Sequence, residues 1–282
     1  MNLSPVLDAI TNDRLVDMSP CWAEFRGFSL LFDNPTHNLH RRDGILKLSL
    51  RVATARRLLL YKAFADSLQE IRSDILTNEF MLGLLPPSTY HVTVWNGVND
   101  ANVTRSSPDF LPRLRSMLTR LPDSIAQRNP LFNTIQKSSL VTRTGWSLDF
   151  VFDRLDVWRD LVLVARLKPA NSPSCAVMDE LVKEAGVLSD SIGRMLGMDM
   201  SQRLNPHVTI GYYANKSRAQ RSFRELEKWN AIFCRKTDLT TVTYNSIGLY
   251  AFTDMASFFR RPNLSRSTGS VRQTPNASDI DQ

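Results

Sequence analysis

His91-Val92-Thr93-Val94 and His207-Val208-Thr209-Ile210 carry one pattern twice, in strand-like runs from Tyr90 to Trp95 and from His207 to Tyr213. The chain has only four histidines, and two of them stand here. Background composition would put two such matches on four histidines on the order of one time in a thousand. Side chains at i and i+2 of a strand share a face. His91 and Thr93 are therefore expected to project together, as are His207 and Thr209, while Val92, Val94, Val208 and Ile210 point back into a core. Two such strands side by side place two imidazoles and two hydroxyls in one cleft. That set supplies what in-line attack on a phosphodiester needs: a base, an acid and hydrogen-bond donors for the phosphoryl oxygens.

The surroundings of each motif read alike. Before the first come an early strand within Phe25–Phe32, a turn at Asn34-Pro35 and helical spacing from Leu46 to Ile75 through Leu48, Leu50, Ala53, Leu58, Tyr61, Phe64, Leu68 and Ile71. Pro86-Pro87 ends what precedes the motif, and Ser107-Pro108 opens a helix over Asp109–Arg120. Before the second come strands at Ser147–Phe152 and Leu161–Leu167 and an amphipathic helix over Cys175–Leu196. A helix over Arg218–Phe233 and a strand region over Leu239–Phe252 follow it. Helices flanking a motif-bearing strand in each half predict an α+β fold with two pseudo-symmetric lobes, each an antiparallel or mixed sheet packed on helices. The expected organisation is a polar arm over 1–20, a domain over 21–262 with lobes near 21–135 and 136–262, and a disordered tail over 263–282 rich in Ser, Thr, Asn and Asp.

Strand parity extends the candidate site. Thr89 and Asn205, two residues before each histidine, and Trp95 and Gly211, four after, are expected on the catalytic face, with Tyr213 at the strand's far end. Trp95 and Tyr213 are candidates to stack on a nucleobase, and core packing is the plain alternative for Trp95. Gly211 would give a phosphate or sugar close access to backbone. Arg105, in the loop after the first motif, could pair with a phosphate; a solvated arginine is the commoner fate. Tyr90 and Tyr212 have the opposite parity and are expected to pack inward.

A pair of H-x-T-hydrophobic motifs resembles the 2H phosphoesterase superfamily, whose members include RNA 2′,3′-cyclic phosphodiesterases and the 2′-5′ RNA ligases. The spacing here is 116 residues (207 minus 91). Thr89 to Val98 (TYHVTVWNGV) is most similar to an uncharacterised branch whose first motif reads Y-H-x-T-V-aromatic-x-G-V. The resemblance is confined to about ten residues at each motif. It implies a bilobal fold with the cleft between two sheets, and a metal-independent phosphodiesterase acting on a nucleotide, cyclic nucleotide or short RNA. His91 and His207 would be acid and base, with Thr93 and Thr209 bonding the non-bridging oxygens. A nucleotide- or RNA-binding module that has lost turnover is the alternative; so is a ligase running the reaction in reverse, ATP-independent because the chain has no P-loop motif. Two histidines with ordinary titration would give a kcat/KM that is bell-shaped near neutrality.

Composition bounds the rest. At 282 residues, with 43% hydrophobic and 22% charged residues, the chain reads as a soluble globular protein. No apolar run reaches the ~20 residues that span a bilayer, and Met1 to Cys21 carries three aspartates and no apolar core of a secretory signal. Cys21, Cys175 and Cys234 are few and scattered, which points to a reducing, intracellular setting. A formal charge of +7 suits a phosphate-rich ligand as well as plain surface solubility. His37 and His40 lie in an Asn/Arg/Asp-rich loop with no Cys or acidic cluster to complete a metal site, and are read as solvated. No G-x-S-x-G motif is present, and Cys175 has no matched histidine. No cofactor and no obligate protein partner are expected.

Overall fold

The computed structural model describes residues 9–18, 22–34, 40–42, 45–47 and 58–261. The tail over 263–282, His37, Cys21, Pro35 and the helical spacing at Leu48, Leu50 and Ala53 lie outside them. The strands in chain order are β1 (Gly27–Phe32), β2 (His40–Arg42), β3 (Ile45–Lys47), β4 (Leu82–Leu84), β5 (Thr93–Asn99), β6 (Leu148–Trp158), β7 (Val162–Pro169), β8 (His207–Tyr213), β9 (Val242–Tyr244), β10 (Ile247–Asp254) and β11 (Ser257–Arg260). The helices are α1 (Leu59–Ile71), α2 (Ser73–Asn78), α3 (Leu111–Thr119), α4 (Asp123–Ala126), α5 (Pro130–Gln136), α6 (Ser139–Thr142), α7 (Ser172–Leu196), α8 (Lys216–Ser222) and α9 (Leu226–Thr237). The fold is α+β, with two antiparallel sheets flanked by helices. One sheet runs β2-β3-β11-β10-β1-β5 and the other β4-β8-β7-β6-β9.

The sheets are not contiguous halves of the chain. β10 and β11, from the end of the sequence, join β1 and β5 in the first sheet, and β4 crosses to pair with β8 in the second. A division into lobes at 135/136 therefore does not describe the molecule. The two sheets also share a core. Phe32 of β1 stacks on Tyr244 of β9 (4.8 Å, 20°) and meets Phe150 of β6 edge-on (5.8 Å). Aromatic pairs of this kind add ~0.5–1.5 kcal/mol beyond the area they bury.

Local chemistry accounts for the longest helix. Asn171 caps α7, its side chain accepting from the Ser174 amide at 2.9 Å, and Pro173 sits in the first turn where its missing N–H costs nothing. Leu181, Ala185, Leu188, Ile192 and Leu196 form its buried stripe, and Gly197, at φ 61°, ends it in the left-handed region. Arg218–Phe233 is not one helix. Ser222 at the end of α8 bonds both the Ala219 carbonyl and the Tyr213 hydroxyl, pinning that turn to β8 before α9 begins. Leu46, expected in a helix, lies in β3. No helix among the described residues is long and apolar enough to cross a membrane.

Candidate active site

The crossover that carries β4 into the second sheet also brings the two motifs together. Leu84 lies opposite Gly211, and the Leu85 amide bonds the Ile210 carbonyl at 2.9 Å. The chain then turns through Pro87–Thr89 and reaches His91 seven residues later (91 minus 84). His91 thus leaves the neighbourhood of β8 and enters the edge of the first sheet. The charge of His207 makes a small contribution to the lowered proton affinity of His91.

The two histidines are held in the same way. His91 Nδ1 lies 2.8 Å from the Thr89 carbonyl and His207 Nδ1 2.7 Å from the Asn205 carbonyl, each two residues upstream. A carbonyl can only accept, so Nδ1 carries the hydrogen in both rings. Nε2, on the far side of each neutral imidazole, keeps its lone pair. An aromatic ring backs each one: Phe258 lies 4.3 Å from His91 and Trp158 lies 4.2 Å from His207, centroid to centroid, tilted by 52° and 54°. Burial drives both imidazoles below the ordinary histidine range, His91 to about 4, with the carbonyl bonds pulling the other way. The neighbouring charge of His207 adds to the depression of His91, and that of Arg166 to the depression of His207.

Each strand carries a β-bulge immediately after its threonine. Leu30 lies opposite Trp95, yet Leu31, the next residue, lies opposite Thr93. Likewise Leu163 lies opposite Gly211 and Val164 opposite Thr209. The extra residue reverses the inward/outward alternation beyond it. Burial shows the consequence in both motifs. His91, Thr93, His207 and Thr209 are half-buried; Val92, Val94, Val208 and Ile210 are buried. The next residue, Trp95 or Gly211, is buried as well, and the cleft side returns only at Asn96 and Tyr212.

This corrects the parity reading downstream of the threonines. Trp95 is fully buried, its indole N–H donating to Ser189 Oγ at 3.0 Å, and has no surface for a base. Tyr213 is also fully buried and shares a 2.8 Å hydrogen bond with Ser222. Gly211 faces β4: a Cβ there would sit 2.5 Å from the Gly83 carbonyl oxygen, so its bareness serves strand packing and not a phosphate. Thr89 is buried with its hydroxyl on the Pro86 carbonyl, and Asn205 is exposed; each meets its histidine through its backbone carbonyl. Arg105 stands beyond the far end of β5, where its charge acts on Asp199.

Tyr212, expected to pack inward, faces the cleft with Thr209. Its hydroxyl donates to Met255 Sδ at 3.0 Å, a weak acceptor in the β10–β11 turn of the other sheet. Burial pushes that hydroxyl up to about 12, opposed by Arg14 and by the nearby Thr209 hydroxyl. Trp22 meets the Tyr212 ring edge-on at 5.7 Å, so the N-terminal segment walls this side. The sequence signal for Tyr212 was the apolar doublet Ile210-Gly211, which breaks strict alternation, as Val94-Trp95 does in the first motif.

On the first sheet, Arg260 grips Asp33 with two 2.8 Å bonds and the Tyr250 hydroxyl donates to the same carboxylate at 2.7 Å. A cavity of about 420 Å³ opens beside that pair, and neither histidine lines it. Among the described residues no group of three or more His, Cys, Asp or Glu side chains is placed to hold a metal ion.

No family model and no curated protein matches the chain. Among solved structures it is similar to a conserved protein of unknown function from Agrobacterium tumefaciens strain C58, with a TM-score of 0.51. The likeness covers 91% of this chain and 97% of that one at 14% sequence identity, and so bears on the fold alone.

Proposed function

We propose that this protein is a phosphodiesterase of the 2H phosphoesterase type, acting on a nucleotide or RNA-derived phosphodiester such as a 2′,3′-cyclic phosphate. One observation carries the reading: the two H-x-T strands are duplicated down to the bulge, the Nδ1-to-carbonyl clamp and the backing aromatic ring. A structural role for two scattered histidines gives no reason for that duplication.

The chemistry follows from the clamps. One neutral histidine takes a proton at Nε2 from water, which attacks phosphorus. The other, protonated, delivers its Nε2 proton to the departing ribose oxygen. Thr93, whose hydroxyl makes no hydrogen bond among the described residues, and Thr209 donate to the non-bridging oxygens, and Tyr212 stands ready to join them by releasing Met255. The scheme needs a single proton shared between two sites whose affinities for it are both lowered in the ligand-free protein. A bound phosphate supplies the negative charge that lets one of them hold it.

The test is turnover by mass spectrometry, in EDTA, on 2′,3′-cyclic mononucleotides, cyclic-phosphate-ended RNA, 2′-5′ and 3′-5′ oligonucleotides and ADP-ribose 1″,2″-cyclic phosphate. Turnover by the parent, with losses of roughly 10²–10⁴-fold in both His91→Ala and His207→Ala, is expected. A strict metal requirement, or activity surviving both substitutions, would sink the mechanism. Tight binding of nucleotides with no turnover of any substrate would favour a binding module.

A further inference from the structure

Trp158, missed by the parity argument, holds the position that Trp95 was expected to fill. It ends β6 on the cleft face of the second sheet, half-exposed, with one side of its ring on His207. Two features fix it there. Its indole N–H donates to Asp156 Oδ2 at 3.0 Å. The chain then reverses through Arg159, Asp160 and Leu161, the first two in the left-handed region at φ 54° and 55°, a three-residue turn made without glycine. Left-handed backbone at a non-glycine residue costs of order 1 kcal/mol or more and persists only where the surroundings over-determine it. Here the indole bond and the ladder pair Trp158–Val162 do so.

Arg166 completes the arrangement. It lies directly opposite His207 in the β7–β8 ladder, so both side chains share the cleft face. Its guanidinium is 3.5 Å from the same Asp156 Oδ2, a long contact that leaves it largely uncommitted, and its side chain is 34% exposed. One carboxylate thus holds an indole and a guanidinium beside His207.

We propose that Trp158 and Arg166, positioned by Asp156, form the substrate subsite on the His207 side: Trp158 as a stacking platform for the nucleobase and Arg166 as a cationic partner for the phosphate beside it. The inference rests on the reading of the histidines as a phosphodiester site and narrows its substrate class. The base must lie next to the reacting phosphate, as in a nucleoside 2′,3′-cyclic phosphate or an RNA end, and a base-free sugar phosphate lacks the stacking contribution. Stacking tolerates every base and favours the larger purines.

The test is calorimetric binding of adenosine and uridine 3′-monophosphates against methyl riboside 3-phosphate, the same sugar phosphate without a base. Parent protein should bind the adenosine compound about tenfold or more tightly than the base-free one. Trp158→Ala should bring the two within about twofold, and Trp158→Phe should keep most of the margin. Arg166→Gln should weaken all three ligands by a similar factor and flatten their salt dependence. A merely structural role for Trp158 predicts equal losses for nucleotide and base-free ligand, which the ratio separates from stacking. No margin in the parent, or a margin that survives Trp158→Ala, overturns the proposal. A Trp158-dependent margin without turnover of any substrate overturns the hydrolytic reading alone; turnover with an unchanged margin overturns the platform alone.

Discussion

Lowering the pH should unfold this protein earlier than its carboxylates alone would dictate, and His91 is the reason. Its folded-state affinity for a proton corresponds to about pH 4, while in the unfolded chain it titrates near 6.5. Between those values the unfolded state binds the proton and the folded state does not. Stability therefore rises with pH across that window, is fully present above about 6.5, and is lost as pH falls toward 4. The gap multiplied by 1.36 kcal/mol per unit gives at most about 3 kcal/mol, an upper figure because the ring is half-buried and keeps some solvent. The physical source is the Phe258 ring and the surrounding core, which strip water from an imidazolium, with repulsion from His207 as a smaller contribution.

The assay is urea unfolding of the parent and His91→Gln at pH steps from 4 to 8. Glutamine keeps a polar group near the Thr89 carbonyl and removes the titration. The difference between the two unfolding free energies should widen in favour of the parent as pH rises from 4 to about 6.5, then level off. Subtracting the variant cancels the contributions of the other histidines and of the carboxylates. A difference that is flat with pH, or an NMR titration placing His91 near 6.5, would refute the burial argument and the protonation scheme built on it.

The same depression should move the activity profile. A bell for kcat/KM peaks between the two apparent values of the free pair, and both histidines lie below 6.5, so the optimum should fall on the acid side of 6.5 and the rate should decline from pH 6 to 8. Trp95→Ala should cost ~3–5 kcal/mol of stability and leave nucleotide affinity in the folded protein unchanged, since the indole serves the core and Ser189. Gly211→Ala should destabilise by ~1–3 kcal/mol in chemical denaturation, because its Cβ meets backbone of β4 that has no rotamer to yield. Tyr212→Phe should cost little stability, since its hydroxyl bonds a weak thioether acceptor and lies beside Thr209, while lowering kcat more than it raises KM.

The motif residues and the α+β class were legible because they rest on short-range rules. A histidine and a threonine two apart on a strand share a face whatever the rest of the chain does, and Pro86-Pro87 and Asn205-Pro206 bound their strands locally. The partition into lobes was not legible. Nothing in Leu82-Gly83-Leu84 says which sheet it joins, and Phe32, Phe150 and Tyr244 are core residues under either topology. Strand pairing between residues about two hundred apart, such as Phe28 with Ala251, is decided by the collapse of the whole core.

The bulges decide the site, and their trace in the sequence is slight but physical. Both motifs alternate faithfully through four residues and then place two inward residues in succession, Val94-Trp95 and Ile210-Gly211, before a residue suited to the cleft, Asn96 or Tyr212. In a regular strand one of each doublet would face the cleft, putting an indole or a bare backbone beside the histidine and threonine. A bulge resolves the conflict by burying both. It also sharpens the local twist, which turns the histidine end of each strand relative to the far end. Trp95 is then free to fill the core against α7 through Ser189, and the aromatic ring at the cleft comes from a strand that carries no motif, β6, through Trp158. Register rules applied to a single strand reach as far as its first bulge. Beyond it, the facing residues must be read from the partner strand, and there the Arg166–His207 and Val162–Tyr212 pairs, not the motif itself, say which side chains face the cleft.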